Sequence, residues 1–205
     1  MTPDHHNVLL VGVGGQGVVT CGKLLCIAAE KVRLAARAGQ LHGMSQRGGS
    51  VECTVVFAPG CSHFIELDQA QFLVAFEPIE GLRAVSRLHS NSTVLVNKTI
   101  VAPFEAVRKR LGVPSLADVL RLLKPECARL FSVDADVIAG RSGNRHTLNV
   151  AMLGVACGLG FFPFGPEPLA YALAEHFSGS ALAANRRALD FGVFAGQQLD
   201  EFSQA

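Results

Sequence analysis

The sequence predicts a three-layer α/β/α fold with a mixed, mainly parallel sheet and a helical C-terminal third. Short apolar runs alternate with helical patterns over the first two thirds of the chain, as in a sheet covered by helices. The first apolar run leads directly into Gly12-x-Gly14-x-x-Gly17 and a helix start, which is a Rossmann-like beginning. Beyond Asp134 the pattern is mainly helical.

Composition is typical of a globular protein. The chain has 205 residues, of which 49% are hydrophobic and 17% charged, enough to bury a sizeable core. We therefore expect a single domain over residues 1–205. The formal net charge of +1 gives no electrostatic footprint for nucleic acid or an anionic membrane, so any partner must be recognised locally.

The first half of the chain is expected to supply much of the sheet. Strand one is predicted at Asn7–Val11 and helix one at about Gln16–Lys31, where apolar residues recur at spacings of three and four. A short strand is predicted at Val32–Ala36, followed by a loop over Arg37–Gly49. The alternation over Ser50–Phe57 predicts a half-buried strand, antiparallel and at a sheet edge.

Turn and capping signals predict the remaining elements. After a turn at Pro59-Gly60, these are a strand at Gln71–Phe76, a helix from Pro78 to about Leu88, a strand at Thr93–Val96, a helix at Phe104–Leu111 closed by Gly112, a helix opened by Ser115-x-x-Asp118, and a strand at Leu130–Val133. Helices then follow at about Thr147–Gly158, Pro166–Phe177 and Ser180–Leu199.

The glycine turn is a candidate anion site. Glycine tolerates positive φ and a close ligand, and the free N–H groups of the following helix attract anions. A dinucleotide site also needs an acidic residue about 20 positions further on, but no carboxylate stands between Glu30 and Glu52. The alternative is that the glycines only let helix one pack tightly on strand one.

The loop from His42 to Ser50 is the second feature that propensity does not explain. It gathers an imidazole, a hydroxyl, an amide and a guanidinium and ends in a glycine pair. The guanidinium group of Arg47 can bind a carboxylate or a phosphate through two parallel hydrogen bonds. The alternative is a bulge whose side chains satisfy only the local backbone.

Cysteine spacing and charge distribution exclude several classes of site. The six cysteines form no Cys-x-x-Cys pair, so neither a zinc ribbon nor a ferredoxin-type cluster is predicted. Cys21, Cys53 and Cys157 are expected to be small buried hydrophobes.

The first residues show no secretory pattern, which predicts a cytoplasmic protein. The uncharged stretch Leu148–Phe164 is interrupted and short of the roughly 20 residues of a membrane span, which favours a buried helix.

Two polar segments precede the C-terminal helices. Asp134 and Asp136 are two positions apart, and we expect helix capping rather than metal binding. The basic segment Arg141–His146 is either a loop that meets an anionic ligand or partner, or a solvated connection.

Three motifs in a fixed order carry a family resemblance. They are the glycine turn, then His42-Gly-Met-Ser-Gln-Arg-Gly-Gly-Ser-Val51, then Thr147-Leu-Asn-Val-Ala-Met-Leu-Gly154. Together they resemble the small, gamma-type subunit of the 2-oxoacid:ferredoxin oxidoreductases over nearly the whole chain. The second motif is most similar to the indolepyruvate branch, because pyruvate and 2-oxoglutarate members carry a Gly-Pro-Glu-x-Arg-Gly-Gly form.

The resemblance implies that the chemistry is divided between subunits. In this family a 2-oxoacid is oxidatively decarboxylated on thiamine diphosphate, electrons pass through 4Fe-4S clusters to ferredoxin, and coenzyme A takes the acyl group. This chain has neither cluster cysteines nor a thiamine-binding Gly-Asp-Gly motif. The resemblance therefore assigns both cofactors to a larger partner subunit, implies no cofactor bound by this chain alone, and associates this chain with the coenzyme A side.

No catalytic residue or metal ligand is predicted in this chain. The candidate binding residues belong to the glycine turn and the loop after it: Gly12, Gly14, Gly15, Gln16, Gly17, Ser45, Gln46, Arg47, Gly48, Gly49 and Ser50. Two other functions stay open, an NAD-dependent dehydrogenase and a coenzyme A or nucleotide-binding module with a different partner.

A partner surface is also predicted. Phe161–Phe164 is expected to lie in an exposed apolar patch that the large subunit covers or, in its absence, a two-fold homodimer. The alternative places this segment in the core beneath the last two helices.

Overall fold

The computed structural model describes residues 6–42, 49–58, 64–102, 108 and 112–202. Its strands are β1 (His6–Val13), β2 (Arg37–His42), β3 (Ser50–Phe57), β4 (Ala70–Ala75), β5 (Leu88–Asn97) and β6 (Arg129–Val133). Its helices are α1 (Val18–Lys31), α2 (Pro78–Arg83), α3 (Leu116–Leu123), α4 (Ala135–Arg141), α5 (Leu148–Gly158), α6 (Pro166–His176) and α7 (Gly179–Gln197). Short 3-10 turns lie at Val85–Arg87, Lys124–Glu126 and Arg145–Thr147.

The strands form one mixed sheet in the order β2-β3-β1-β4-β5-β6. Neighbours from β1 through β4 and β5 to β6 are parallel, whereas β3 is antiparallel to both β1 and β2. β2 therefore points the same way as β1. The predicted mixed, mainly parallel sheet is confirmed, and all strands except β3 end at one edge, where open α/β sheets place ligands.

Helices cover both faces of this sheet. Successive strand residues point to opposite faces, so Leu10 and Val74 pack with α1, α5, α6 and α7, while Leu9 and Leu73 pack with α2 and α3. Both faces of the central strands are buried, which is why these strands are apolar throughout. The three-layer prediction is confirmed.

The second strand was wrongly predicted at Val32–Ala36. Those residues end α1 instead: Arg33 has a positive φ of 58°, and the N–H of Leu34 donates to the carbonyl of Ala29 at 2.9 Å. The strand lies at Arg37–His42, within the predicted loop, and forms the sheet edge outside β3. β3 is antiparallel as predicted, but it is not an edge strand.

Other boundaries follow from pairing and capping. The helix from Pro78 ends at Arg83 rather than Leu88, because Leu88 pairs with Ala70 and begins β5. The predicted capping box is confirmed, since Ser115 Oγ accepts the N–H of Asp118 at 3.2 Å. The turn at Pro59-Gly60 and most of the helix predicted at 104–111 lie outside the described residues.

The C-terminal third packs around α5, whose residues from Asn149 to Ala156 are buried. In the described part of the chain, no helix is both long and apolar enough to cross a membrane. The apolar patch predicted at Phe161–Phe164 is wrong for its first half, because Phe161 and Phe162 are only 0% and 6% exposed. The Phe161 ring lies 4.9 Å from that of Phe72 in the sheet, so this segment covers the sheet.

Candidate functional site

The glycine turn between β1 and α1 adopts a backbone that favours glycine at two positions. Gly15 and Gly17 have positive φ values of 102° and 76°, which L side chains rarely adopt. A Cβ on Gly17 would lie 2.5 Å from Nδ2 of Asn149 on α5. The first and third motifs of the sequence therefore meet in space.

Gln16 fills the inner side of this turn. Its Oε1 accepts a hydrogen bond from the N–H of Val13 at 2.9 Å, and its Nε2 donates to the Phe76 carbonyl at 3.2 Å. Oε1 also lies 2.6 Å from the position that a Cβ on Gly12 would take. The first glycine of the motif thus makes room for a side chain of the protein itself.

The outer side of the turn is open within the described structure. Gly15 is exposed, and no described atom lies within 4 Å of its Cβ position. Gly17 is the N-cap of α1, where no described side chain caps the helix and the first turn carries no acidic residue. The free N–H groups and the helix dipole favour an anion at this end.

The strand pairing brings both ends of the second motif to the same place. The N–H of Gly14 donates to the carbonyl of Gly49 at 2.9 Å, and Ser50 pairs with Val13. β2 ends at this edge because it is parallel to β1. The structure thus places together Gly12, Gly14, Gly15, Gln16, Gly17, Gly49 and Ser50, whereas Ser45, Gln46, Arg47 and Gly48 lie outside the described residues.

The topology also bears on the dinucleotide alternative. In the dinucleotide-binding fold, β1 is flanked by the parallel second strand, whose end carries the ribose-binding acid. Here the antiparallel β3 lies between β1 and β2. Among the described strands, none ends at that position beside β1, which agrees with the missing carboxylate in the sequence.

Three polar residues lie at the same edge, and of these only Asp136 was singled out from the sequence, as a helix cap. Glu77 follows β4, Asn97 ends β5, and Asp136 lies in the first turn of α4 after β6. Glu77 and Asn97 are only 1% and 0% exposed. Their common signal is a polar residue at or just beyond the end of an apolar strand, which is the ligand edge of a parallel sheet.

Glu77 has a structural role in this arrangement. Its carboxylate accepts the N–H groups of Glu80 at 2.9 Å and Val101 at 3.1 Å, so it caps α2 and holds the segment after β5. Burial raises the pKa of Glu77, and the N–H donors oppose that rise.

The two aspartates after β6 bind backbone and side-chain donors. Asp134 accepts the N–H of Val137 at 3.0 Å and so caps α4, as predicted. Asp136 Oδ2 accepts from Thr99 Oγ1 at 2.5 Å and from Asn97 Nδ2 at 3.3 Å. Within the described residues, no group of three or more His, Cys, Asp or Glu side chains is placed to hold a metal ion.

The basic segment before α5 is held by the protein itself. Arg187 on α7 donates from Nε and Nη2 to the Ser142 carbonyl at 2.9 and 2.7 Å, and Asn144 Oδ1 accepts the N–H of His146 at 3.0 Å. Arg141 and Arg145 are exposed. The backbone of this segment is therefore ordered by internal hydrogen bonds.

Most of the described cysteines are buried thiols. Cys21, Cys53 and Cys127 are buried, while Cys26 and Cys157 are partly buried. Burial raises the pKa of Cys53 to about 12 and that of Cys157 to about 11. The expectation of small buried hydrophobes is confirmed for Cys21 and Cys53, and Cys157 is only partly buried.

Two surface concavities of the described structure lie away from the glycine turn, around the C-terminal end of α1. One of 590 Å³ is lined by Val32, Leu34 and Phe164 among others, and a neighbouring one of 670 Å³ shares Leu34. We place the candidate site at the glycine turn instead, because that end of the sheet gathers the helix N–H groups and the polar strand ends.

The fold and site define a class of protein: an α/β domain in which a glycine turn, a helix N-terminus, the end of β2 and the start of β3 lie at the carboxyl edge of the parallel strands. The chain belongs to the pyruvate ferredoxin/flavodoxin oxidoreductase family, whose model matches residues 7–195. The resemblance found in the motifs is thereby confirmed.

Relatives in this family are named as oxidoreductase subunits. Indolepyruvate oxidoreductase subunit IorB of Pyrococcus horikoshii is 31% identical over 196 residues, covering 95% of this chain and 97% of the relative. The subunit of the same name from Archaeoglobus fulgidus is 32% identical over 186 residues, covering 91% and 92%. Ketoisovalerate oxidoreductase subunit VorA of Methanothermobacter marburgensis is 29% identical, but the match covers only 32% of its length.

Solved structures show the same fold. A keto/oxoacid ferredoxin oxidoreductase gamma subunit from Geobacter sulfurreducens matches with a TM-score of 0.69 and 18% identity, over 95% of this chain and 97% of that one. A 2-oxoglutarate:ferredoxin oxidoreductase chain from Magnetococcus marinus matches with a TM-score of 0.73 and 15% identity, over 97% of this chain and 32% of that one. The fold thus occurs both as a separate chain and as part of a longer one.

Proposed function

We propose that this chain is the small subunit of an indolepyruvate (arylpyruvate) ferredoxin oxidoreductase. In the assembly it supports oxidative decarboxylation of a 2-oxoacid to an acyl-CoA, with electrons passed to ferredoxin. The observation that carries this proposal is similarity over nearly the full length of both chains to relatives named as indolepyruvate oxidoreductase subunits.

The partner in this proposal is a larger subunit that holds thiamine diphosphate and the 4Fe-4S clusters. Thiamine diphosphate supplies the decarboxylation chemistry, and the clusters carry the electrons away. The sequence has neither a Cys-x-x-Cys pair nor a Gly-Asp-Gly motif, so the proposal assigns those cofactors to the partner. The work of this chain is then binding and orientation.

The glycine turn and the loop after β2 are proposed to form the coenzyme A side of the site. Gln16 occupies the inner side of the turn, so an anionic group would approach the outer side, at Gly15 and the first N–H groups of α1. Those donors and the helix dipole stabilise phosphate. Arg47 is proposed to add a forked charge-assisted contact to the same anion.

The test uses the enzyme assembled by co-expression with a thiamine- and cluster-bearing large subunit. Arylpyruvate-dependent dye reduction is measured as coenzyme A is varied. Arg47→Ala should raise the apparent KM for coenzyme A about tenfold or more, because the forked charge-assisted contact is lost. Arg186→Ala is the control, because Arg186 is an exposed arginine on α7. An unchanged KM with assembly intact would leave Arg47 as a structural residue.

The division of labour is tested on the chain alone. We expect the isolated chain to be colourless and inactive on 2-oxoacids, because the proposed cofactors belong to its partner. Purification with stoichiometric iron and sulfide, or with measurable decarboxylation, contradicts the proposal. Tight binding of NAD by the isolated chain would instead favour a dehydrogenase.

A further inference from the structure

Two amide side chains converge on one backbone carbonyl at the carboxyl edge of the sheet. Gln16 Nε2 donates to the carbonyl of Phe76 at 3.2 Å, and Asn97 Nδ2 donates to the same oxygen at 3.4 Å. The N–H of Phe76 donates to the carbonyl of Val11 at 2.8 Å. The residue directly after β4 is therefore held from β1, from the glycine turn and from β5.

The orientation of the Asn97 amide is determined by its other partners. Asn97 is fully buried, and its Oδ1 accepts the N–H of Ala135 at 3.0 Å. That backbone group can only donate, so Nδ2 must face the other way, toward Phe76 and Asp136. Asp136 Oδ2 lies 3.3 Å from Nδ2 and is itself bound by Thr99 Oγ1 at 2.5 Å.

We propose that Asn97 is a positioning residue for the glycine turn. Asn97 fixes the Phe76 carbonyl, this carbonyl fixes the Gln16 side chain, and Gln16 Oε1 holds the N–H of Val13 where the turn begins. The chain of contacts connects the end of β5 to the turn without touching the ligand. This inference rests on the proposed function in one respect, namely that the turn serves the coenzyme A side.

The same strand provides a matched control. Ser92 is also fully buried on β5, and its Oγ donates to a β4 carbonyl, that of Ala70, at 2.6 Å. This contact lies at the opposite end of the β4–β5 pair from Asn97. Loss of Ser92 removes a buried hydrogen bond from β5 to β4, and loss of Asn97 removes one from β5 to Phe76 directly after β4. Of the two, Asn97 alone is connected to Gln16.

The experiment compares Asn97→Asp, Asn97→Ala and Ser92→Ala in the assembled enzyme. Asn97→Asp keeps the acceptor for Ala135 but directs a second carboxylate oxygen at Phe76 and Asp136, which repels both. Amide hydrogen exchange over residues 12–20 should become about tenfold faster in both Asn97 variants and stay within about twofold in Ser92→Ala. The KM for coenzyme A should rise several-fold in the Asn97 variants, with kcat nearly unchanged.

Each outcome decides one proposal. Unchanged exchange in the turn of the Asn97 variants overturns the positioning role, and so does equally fast exchange in Ser92→Ala, which would mean general loosening. Faster exchange in the turn with an unchanged KM for coenzyme A supports the positioning role and refutes the coenzyme A assignment. If Asn97→Asp does not assemble, Asn97→Ala, which adds no charge, gives the same readouts.

Discussion

Replacing Gly192 by alanine should destabilise the protein, although alanine is the better helix former. α5 and α7 cross where Gly154 and Gly158 face Gly192 and Gly196. A Cβ on Gly192 would lie 2.4 Å from the carbonyl oxygen of Ala151 and 2.9 Å from the Cα of Gly154. Both contacts are with backbone, so no side-chain rotation relieves them and the two helices must separate.

The expected magnitude is the balance of two opposing effects. Alanine is favoured over glycine in a helix interior by about 1 kcal/mol. Overpacking a well-filled interior costs about 1–3 kcal/mol, and the all-backbone contacts at Gly192 place this site at the upper end. We therefore expect Gly192→Ala to lower the free energy of unfolding by about 2 kcal/mol.

Urea unfolding followed by circular dichroism measures this difference through the midpoint at constant slope. Gly140→Ala is the matched control, because Gly140 lies in α4, is exposed, and no described atom is within 4 Å of its Cβ position. That variant should be stabilised by up to about 1 kcal/mol. A Gly192→Ala midpoint at or above the wild-type value would refute the close helix crossing, and an equal loss in Gly140→Ala would make the effect unspecific.

Three further predictions concern titration, thiols and association. Burial raises the pKa of Glu77, so the contribution of Glu77 to the free energy of unfolding is present below pH 4.5, its ordinary pKa, and is lost as the pH rises through the pKa of the folded state. The hydrogen bond from Lys124 lowers the pKa of Glu201, so the contribution of Glu201 is lost as the pH falls below its ordinary pKa of 4.5. Glu77→Gln should flatten the dependence of unfolding free energy on pH above pH 4.5, and Glu201→Gln should flatten it below pH 4.5. Urea unfolding at a series of pH values measures both effects. If variant and wild type show equal slopes of unfolding free energy against pH, these two pKa shifts are contradicted. Burial raises the pKa of Cys53 to about 12 and that of Cys127 to about 11. Alkylation of both thiols at pH 8 should therefore be slow until denaturant is added. Mass spectrometry measures the labelling, and fast labelling of the native protein would be evidence against the burial of these thiols. Phe191 and Phe194 on α7 are 42% and 67% exposed. The isolated chain should therefore sediment as a two-fold dimer at micromolar concentration, and Phe194→Ser should weaken this dimer. A chain that sediments as a monomer and also fails to bind the large subunit argues against the subunit role.

Local signals in the sequence predicted much of the architecture. The apolar run of β1, the capping box at Ser115 and the glycine turn were placed correctly, because each depends on residues within one element or its ends. β2 was placed five residues too early, because Arg37–His42 contains Gly39 and polar residues and is a strand only through its pairing with β3. Strand position there depends on the partner rather than on propensity.

The candidate site likewise contains features that the sequence predicted and features that it did not. Its glycines were predictable, since a left-handed backbone at Gly15 and Gly17 is a local requirement. The contributions of Gln16 and Asn97 were not, because their partners Phe76, Ala135 and Asp136 lie far away along the chain. Long-range hydrogen bonds leave no periodic pattern in the sequence.

By itself, the sequence determined the layered α/β class, the glycine turn and the family, because these depend on short motifs and on the alternation of apolar segments. Only the tertiary structure decided that β3 separates β1 from β2, that Gln16 fills the inner side of the turn, and that Phe161 lies in the core. The physical reason is that these features depend on which segments pack together, and a segment acquires its neighbours only when the whole sheet and its helices have formed.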